Sequence, residues 1–489
     1  MKLDTIVLVF YNFYKMRNPM PTASSTHFDM LIRGGKIVAG RDVVQADIAV
    51  SEGVIAALGR SLGTADTEID ATGHVVMPGG VDVHAHIEQI SAGGLMTADD
   101  WQSATTAAAM GGTTTVLAFA AQHRGMNLQE VVADYTRRAE AGAIIDYGFH
   151  LMIGNPDAAT LKTDLPALID AGHRSVKLFM TYDRLAVNDE QALDVLDVAR
   201  RHGALVCVHA ENHGMIAWMS RKLLEAGKTA PKYHAEAHPR LSEVEAIRRV
   251  IDLARLVGAA VSIFHVSTRE GAEVIQAARG QGFEVYGETC PQYLFFTAPD
   301  LDKPGLEGAK WMFSPPPRTS DDQAALWQAL RCGTLQILSS DHAPYGFNAD
   351  GKLKHGPDAN FKQIANGVPG LGERLVLAFD ALAREGDRGL VRFAEMTSGM
   401  PARIYGLAPA KGTIAIGADA DLVLWDPDRS VTLSDENRHG KTGYTPYSGM
   451  TVRGWPQVVI RRGEIIARDD ALCAAPGSGR MATRRKPGF

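Results

Sequence analysis

The sequence predicts an α/β protein that combines a (β/α)8, TIM-like barrel with a smaller β-sandwich domain built from both chain ends. Eight short apolar runs alternate with helical segments in the middle of the chain, and hairpin patterns are confined to the two flanks. The length of 489 residues, roughly three times a domain of ~150 residues, also fits one large domain and one smaller one.

The barrel is predicted from the central part of the chain. Segments between the apolar runs have helical periodicity, as in 241–256, where apolar residues repeat on one face. Eight strands joined by crossovers are what a (β/α)8 barrel requires. An open doubly wound sheet is the alternative, but no GxGxxG pattern follows its first strand. The runs are 81–86, 113–119, 146–152, 174–180, 204–210, 260–266, 283–289 and 335–340.

Turn residues between alternating segments predict the smaller domain. Turns are expected at Gly34-Gly35, Glu52-Gly53 and Arg462-Gly463, and another strand is expected at 412–416. The predicted domain limits are 28–78 plus 408–470 for the β-sandwich domain and 79–407 for the barrel. Residues 1–27 are an extension, expected to be disordered, and 471–489 are a mobile tail or an arm that packs on a neighbouring subunit.

Composition excludes several classes of partner. The 50 Lys and Arg residues against 56 Asp and Glu residues give a net charge of −6, which argues against nucleic acid or an anionic membrane as a partner. The apolar run 6–10 is far shorter than the ~20 residues of a membrane span. Four widely spaced cysteines without a CxxC pair indicate a reducing, cytoplasmic location.

Polar residues recur at the ends of the predicted barrel strands, where the active sites of such barrels are built. The i, i+2 spacing of His84 and His86 places both imidazoles on one side of a strand. Convergent imidazoles are good ligands for a divalent cation, so the pattern predicts a metal site. The candidate ligands are His84, His86, Lys177, His209, His265 and Asp341.

Lys177 stands out because it lies inside an apolar strand, where a bare ammonium group is costly to bury. It either pairs with one of the acids or has a lowered pKa and adds CO2. The resulting carbamate would bridge two cations and supply an anion that four imidazoles and one carboxylate lack.

Seven motifs in this order resemble the cyclic amidohydrolases, and most closely the dihydropyrimidinase/hydantoinase branch. The resemblance covers roughly residues 28–468. The motifs are VDVHAH (81–86), SVKLFMTY (175–182), VHAEN (208–212), FHVST (264–268), GETCPQYL (287–294), SPPPR (314–318) and SSDHAPY (339–345).

The resemblance implies two divalent metal ions per chain, usually zinc and in some members manganese. His84, His86 and Asp341 would hold one ion, and His209 and His265 the other. Carboxylated Lys177, formed with CO2, and a hydroxide would bridge the two ions. The hydroxide would attack the ring carbonyl.

The resemblance also implies roles around the substrate. Asp341 would act as base and then acid, and Tyr182 would donate a hydrogen bond to the developing oxyanion. Alternatively, Tyr182 is a loop aromatic packed on the barrel rim. Ser314 and Asn366 match positions that hold the imide or ureide edge of the substrate. A homo-oligomer, tetramer or dimer, is implied as well.

The predicted function is therefore metal-dependent opening of a small cyclic imide or ureide, such as a dihydropyrimidine or a 5-substituted hydantoin. Segment 88–94 lacks a Pro-Phe pair common in this branch, and such loops define the pocket of a barrel enzyme, so the segment bears on the identity of the ring. The basic pair His123-Arg124 either favours a substrate carboxylate or is a solvated surface pair. The alternatives are an allantoinase-like or dihydroorotase-like enzyme and a non-catalytic dihydropyrimidinase-related scaffold.

Overall fold

The computed structural model describes residues 27–91, 93–436 and 439–487. The predicted extension 1–27 lies outside these ranges except for its last residue. The strands are β1 His27–Ala39, β2 Asp42–Ser51, β3 Val54–Gly59, β4 Thr64–Asp70, β5 Val75–Pro78, β6 Gly80–Ala85, β7 Thr113–Ala121, β8 Asp146–Met152, β9 Ser175–Phe179, β10 Leu205–His209, β11 Val261–Ile263, β12 Val285–Thr289, β13 Ile337–Leu338, β14 Leu422–Thr432, β15 Thr451–Arg461, β16 Glu464–Arg468 and β17 Ala471–Leu472.

Helices follow most of the barrel strands and cover the outside of the barrel. The α-helices are α1 Trp101–Met110, α2 Leu128–Gly142, α3 Leu165–Asp170, α4 Asp189–His202, α5 His213–Glu225, α6 Tyr233–Ala237, α7 Arg240–Val257, α8 Arg269–Gly280, α9 Pro291–Phe295, α10 Ser320–Cys332, α11 Arg374–Ala383, α12 Asp387–Ala394 and α13 Met400–Ile404. In α7 the predicted apolar face is buried, and Gly258 in the left-handed region ends the helix. Within the described ranges, no helix is long and apolar enough to cross a membrane.

Strands β6 to β13 form a parallel sheet in which each strand neighbours the next one in sequence. The sheet curls until its ends meet, because Ala85 and His342 form a parallel bridge and the His86 N–H donates to the His342 carbonyl at 2.7 Å. The result is a (β/α)8 barrel, and each predicted run overlaps one of its strands. Strands β11 and β13 are shorter than predicted, and the backbone adopts left-handed conformations at His265 and Asp341, beyond their ends.

A second sheet is built from both ends of the chain, as predicted for the β-sandwich domain. Its order is β17-β16-β15-β14-β5-β1-β2-β3, and β4 pairs with β1. Strand β5 joins the two halves, since it pairs with β1 on one side and with β14 on the other. Apolar residues of both halves share one buried cluster.

Two details of the smaller domain differ from the prediction. The expected turn at Gly34-Gly35 is wrong, because this pair is a bulge within the continuous strand β1, and the turn lies at Gly40-Arg41. The expected strand at 412–416 is also wrong. Gly412 and Gly417 have left-handed φ values of 79° and 85°, which interrupt an extended backbone there. The predicted turns at Glu52-Gly53 and Arg462-Gly463 are confirmed.

The chain end up to residue 487 lies against the barrel of its own chain. The Tyr147 N–H donates to the Arg480 carbonyl at 3.0 Å, near the amino-terminal end of β8. The Arg484 side chain is buried and donates to the carbonyls of Phe149 at 3.0 Å and Tyr405 at 2.9 Å. This placement differs from the expected mobile or partner-bound arm, since these buried polar groups satisfy one another within the chain.

Candidate metal centre

The predicted metal ligands meet at the carboxyl-terminal end of the barrel. His84 lies near the end of β6 and His86 directly after it, Lys177 lies within β9, and His209 ends β10. His265 follows β11, and Asp341 follows β13. All six side chains line one cavity of about 460 Å³, at the end of the barrel where loops build active sites.

His84, His86 and Asp341 form a compact group. Oδ1 of Asp341 lies 3.1 Å from Nε2 of His84 and 3.5 Å from Nε2 of His86. The ligand atoms of the three residues all lie within 4.8 Å of one another, as binding to a single metal ion requires. Two imidazole nitrogens and a carboxylate oxygen are suitable donors for zinc.

The other ring nitrogen of each of these histidines is held by a neighbour. Oε1 of Glu288 lies 2.6 Å from Nδ1 of His84, and Oε1 of Gln89 lies 2.9 Å from Nδ1 of His86. Such contacts fix the tautomer and direct Nε2 toward a cation. Sequence reasoning missed both neighbours. A charged residue inside the buried strand β12 is the signal that could have revealed Glu288.

His209 and His265 form the second half of the site, with ring centroids 4.3 Å apart. Nε2 of His209 lies 2.8 Å from Oε2 of Glu211, so Nδ1 is the nitrogen left for a cation. The other oxygen of Glu211 lies 2.9 Å from Nδ1 of His238. Among the described residues, Nδ1 of His265 is buried without a hydrogen-bond partner.

Lys177 is completely buried beside three aromatic rings. Its Nζ atom lies 5.6, 4.8 and 4.1 Å from the ring centroids of Phe119, Phe179 and Phe264. The described part of the chain offers this Nζ neither a hydrogen-bond partner nor an ion pair, so pairing with an acid is not observed. Burial lowers the pKa of Lys177 to about 8, which favours the neutral amine.

Burial and charge set the protonation of the other ligands. Burial lowers the pKa values of His86, His209 and His265, which therefore stay neutral as metal ligands must. Burial also opposes charge on His84, but the carboxylates of Glu288 and Asp341 outweigh it and raise its pKa to about 8. The pKa of Asp341 lies well below its usual range, because the neighbouring histidines outweigh the effect of burial.

Three candidate site residues have backbone conformations that non-glycine residues rarely adopt. The φ values are 75° at Tyr182, 40° at His265 and 47° at Asp341. Left-handed conformations of this kind are costly and tend to cluster at active sites. Here they turn the chain sharply at the ends of three barrel segments, so that these side chains line the cavity.

The three predicted substrate contacts also line the cavity. The ring centroid of Tyr182 lies 5.2 Å from that of His209. Oγ of Ser314 lies 3.3 Å from Nε2 of His234. Burial raises the pKa of Tyr182, so its hydroxyl keeps the proton it would donate. Oδ1 of Asn366 is buried, without a hydrogen-bond partner in the described ranges.

A family model described as "Amidohydrolase family" matches residues 75–466, the barrel together with the later strands of the smaller domain. The chain belongs to the amidohydrolase family.

Its relatives place this amidohydrolase in the hydantoinase and dihydropyrimidinase branch. It is 40% identical over 459 residues to a D-hydantoinase of Rhizobium radiobacter, an alignment that covers 94% of this chain and 99% of the relative. It is 41% identical over 461 residues to a D-hydantoinase of Geobacillus stearothermophilus, and this alignment covers 94% of this chain and 97% of the relative. The crystal structure of a dihydropyrimidinase from Brevibacillus agri matches with a TM-score of 0.91 at 38% identity. The match covers 94% of this chain and 99% of the dihydropyrimidinase.

Segment 88–94 and the basic pair His123-Arg124 lie in different places in this amidohydrolase. Gln89, Ser91 and Gly93 of segment 88–94 line the cavity, whereas Ala92 lies outside the described residues. His123 lines a separate depression, where its Nε2 lies 3.2 Å from the Ile90 carbonyl oxygen. Neither His123 nor Arg124 is among the described residues that line the metal cavity, so the geometry does not support their contact with a substrate carboxylate.

Proposed function

We infer that this amidohydrolase is a metal-dependent hydrolase of cyclic amides, and we propose that it opens dihydropyrimidines or 5-substituted hydantoins. The observation that carries the proposal is the set of six candidate ligands in one cavity, five of them around a buried Lys177 that has no hydrogen-bond partner among the described residues. Its D-hydantoinase relatives support the ring class, because the similarity extends over 94% of the chain. Their names also lead us to propose the D-enantiomer of hydantoin substrates.

We propose that two divalent ions bind at this site. His84, His86 and Asp341 would hold one ion, and His209 and His265 the other. Lys177 would contribute a carbamate to both, formed when its neutral amine attacks CO2 and loses a proton. Support comes from the buried Nζ, which has no hydrogen-bond partner in the described ranges, and from the orientation of the imidazoles by Gln89, Glu211 and Glu288. Nitrogen-rich ligands favour zinc, with manganese as the alternative.

Bound divalent cations lower the pKa of a water molecule and polarise the scissile carbonyl. The ionised Asp341 would accept the proton of the attacking water and return it to the leaving ring nitrogen. Tyr182 would donate its hydroxyl proton in a hydrogen bond to the oxyanion. Ser314 and Asn366 would hold the polar edge of the ring, since both line the cavity and the Asn366 amide oxygen has no other described partner.

The alternatives are not favoured. An allantoinase-like or dihydroorotase-like enzyme would share the ligands, but the relatives at about 40% identity are D-hydantoinases. A non-catalytic scaffold would not need six candidate ligands that converge on one cavity, or a lysine buried among them.

The test is ring opening of dihydrouracil and of racemic 5-benzylhydantoin, with added zinc or manganese and with bicarbonate present. Metal-stripped protein is the control, and the chirality of the N-carbamoyl product reports the enantiomer. Turnover of either ring supports the proposal. Absence of turnover on both, with two metal ions bound per chain, would contradict the proposed substrate class.

We also propose a cytoplasmic homo-oligomer, a tetramer or dimer. The oligomer is supported by the resemblance to the branch alone. The reducing location is supported by the four cysteines, all of which are free. Light scattering on the metal-loaded protein tests the oligomer, and a monomer at micromolar concentration would contradict it.

A further inference from the structure

We propose that the ring substrate of this enzyme carries an anionic substituent, such as a carboxylate, that is held by cationic residues at the mouth of the cavity. This inference rests on the proposed function and names its substrate more closely. The cationic mouth is defined here as Arg184, Lys354 and Lys362, all of which line the metal cavity.

The cavity has a buried floor and an exposed mouth. The candidate metal ligands on the floor are mostly buried, whereas the three residues of the cationic mouth are exposed. Arg184 lies in the segment that follows β9, and Lys354 and Lys362 lie in the long segment between β13 and α11. Two different barrel loops therefore contribute positive charge to one opening.

The charge at this opening is not balanced by the described residues around it. Asp183 is the one exposed carboxylate among the described residues that line the cavity, and it lies 3.2 Å from Nε2 of His213. No ion pair joins Arg184, Lys354 or Lys362 to a described carboxylate. Exposed arginines elsewhere often have such partners, as Arg200 and Arg201 do with Asp197.

This local excess contrasts with the whole chain, whose net charge is −6. Cations grouped around a cavity raise the local concentration of anionic ligands and speed their entry. These cations would add little to the affinity for a neutral ring. They would raise the affinity for an anionic ring, because its charge attracts them and pairs with side chains that have no ion pair with a described carboxylate.

The candidate metal ligands on the cavity floor determine which part of the substrate lies near the cationic mouth. The scissile amide must face the ligands and Tyr182 on the floor, and the polar ring edge would face Ser314 and Asn366. The substituent on the ring is then the part left to extend outward. A short flexible arm that ends in a carboxylate is the substituent this arrangement fits.

A matched pair of substrates isolates the charge. The two rings are 5-(2-carboxyethyl)hydantoin and 5-(2-carbamoylethyl)hydantoin, which have nearly the same shape and differ by one negative charge. We expect kcat/KM at low salt to favour the carboxylate by about tenfold, because each exposed charge pair contributes about two- to fivefold. The preference should shrink as ionic strength rises, since salt screens exposed charges.

Substitutions test which cationic side chains hold the substrate carboxylate. Arg184→Gln, Lys354→Gln and Lys362→Gln should each lower the preference for the carboxylate, and the triple variant should abolish it while leaving the carbamoyl substrate nearly unchanged. Arg41→Gln is the control, because Arg41 is an exposed cation in the turn between β1 and β2, outside the cavity.

The outcomes separate this inference from the proposed function. If neither hydantoin opens, the proposed function fails. If both open with equal kcat/KM, or if the triple variant slows both equally, the cyclic-amide activity stands and the anionic substituent is wrong.

Discussion

The Oε2 atom of Glu211 lies 2.8 Å from Nε2 of His209, and both side chains are almost completely buried. The second oxygen of this carboxylate lies 2.9 Å from Nδ1 of His238, so one buried acid fixes two imidazoles. Because Nε2 of His209 is occupied, its Nδ1 is the atom available to a cation. Glu211 would thereby orient His209, one of the two histidines proposed to hold the second ion.

Glu211→Gln should weaken binding of one metal ion while preserving the shape of the side chain. Loss of a carboxylate partner behind a ligating histidine costs about 10–100-fold in metal affinity. Metal titration of the stripped protein measures the effect. Glu225→Gln, on the exposed side of α5, is the control. An unchanged affinity for both ions would show that Glu211 has only a packing role.

Lys177→Ala should lose metal content and activity together, because the proposed carbamate contributes to both ions. Short carboxylic acids should restore part of both, since their carboxylate can occupy the space left by the side chain. Propionamide, which is neutral and of similar size to propionate, is the matched control. Metal analysis and turnover with each additive give the result, and full metal content without any additive would contradict the carbamate.

Tyr182→Phe should lower turnover far more than metal content. If the hydroxyl stabilises the oxyanion, its removal costs about 3 kcal/mol, or about 10²-fold in kcat. Tyr135→Phe is the control, because Tyr135 is a buried tyrosine that lines a different depression. Equal rates for the wild-type enzyme and the Tyr182 variant would return this residue to a packing role on the barrel rim.

The parts of the site that follow from local pattern could be predicted from the sequence. Histidines at strand ends and a lysine inside an apolar strand are visible without coordinates. The partners of those residues were not visible. Glu288 lies 204 positions after His84 in the chain, yet their side chains are 2.6 Å apart. Such pairings depend on how the barrel closes.

The dependence of local structure on distant strand pairing also explains the errors in the smaller domain. Gly34-Gly35 resembles a turn locally, but pairing with β2 continues on both sides of it and makes it a bulge. The position of the chain end is likewise set by carbonyls that become available only once the barrel and α13 are formed, such as that of Tyr405.

Lys352 connects two segments that carry proposed substrate contacts. Its Nζ donates to the Met312 carbonyl at 3.0 Å and to the Ala365 carbonyl at 2.9 Å, close in sequence to Ser314 and Asn366. The side chain is only 1% exposed and has no ion pair with any described carboxylate. Burial lowers its pKa from the usual 10.5 to about 7.

This shift predicts a pH-dependent contribution of Lys352 to stability. Below pH 7 both folded and unfolded chains are protonated, and the folded protein bears the full cost of burying the charge. Between about pH 7 and 10.5 the unfolded chain binds the additional proton, so stability increases as the pH rises. The gain approaches about 1.4 kcal/mol per pH unit inside this window.

Lys352→Met removes the titrating group while keeping a long side chain. The unfolding free energy of the wild type relative to this variant should therefore increase between pH 7 and pH 8.5, by about 1–2 kcal/mol. Denaturant unfolding of both metal-stripped proteins at the two pH values measures it, and groups common to both proteins cancel in the difference. A difference that stays constant with pH would mean that the pKa of Lys352 is not lowered. The variant should also raise KM for the ring, because the segments that hold Ser314 and Asn366 lose their common anchor.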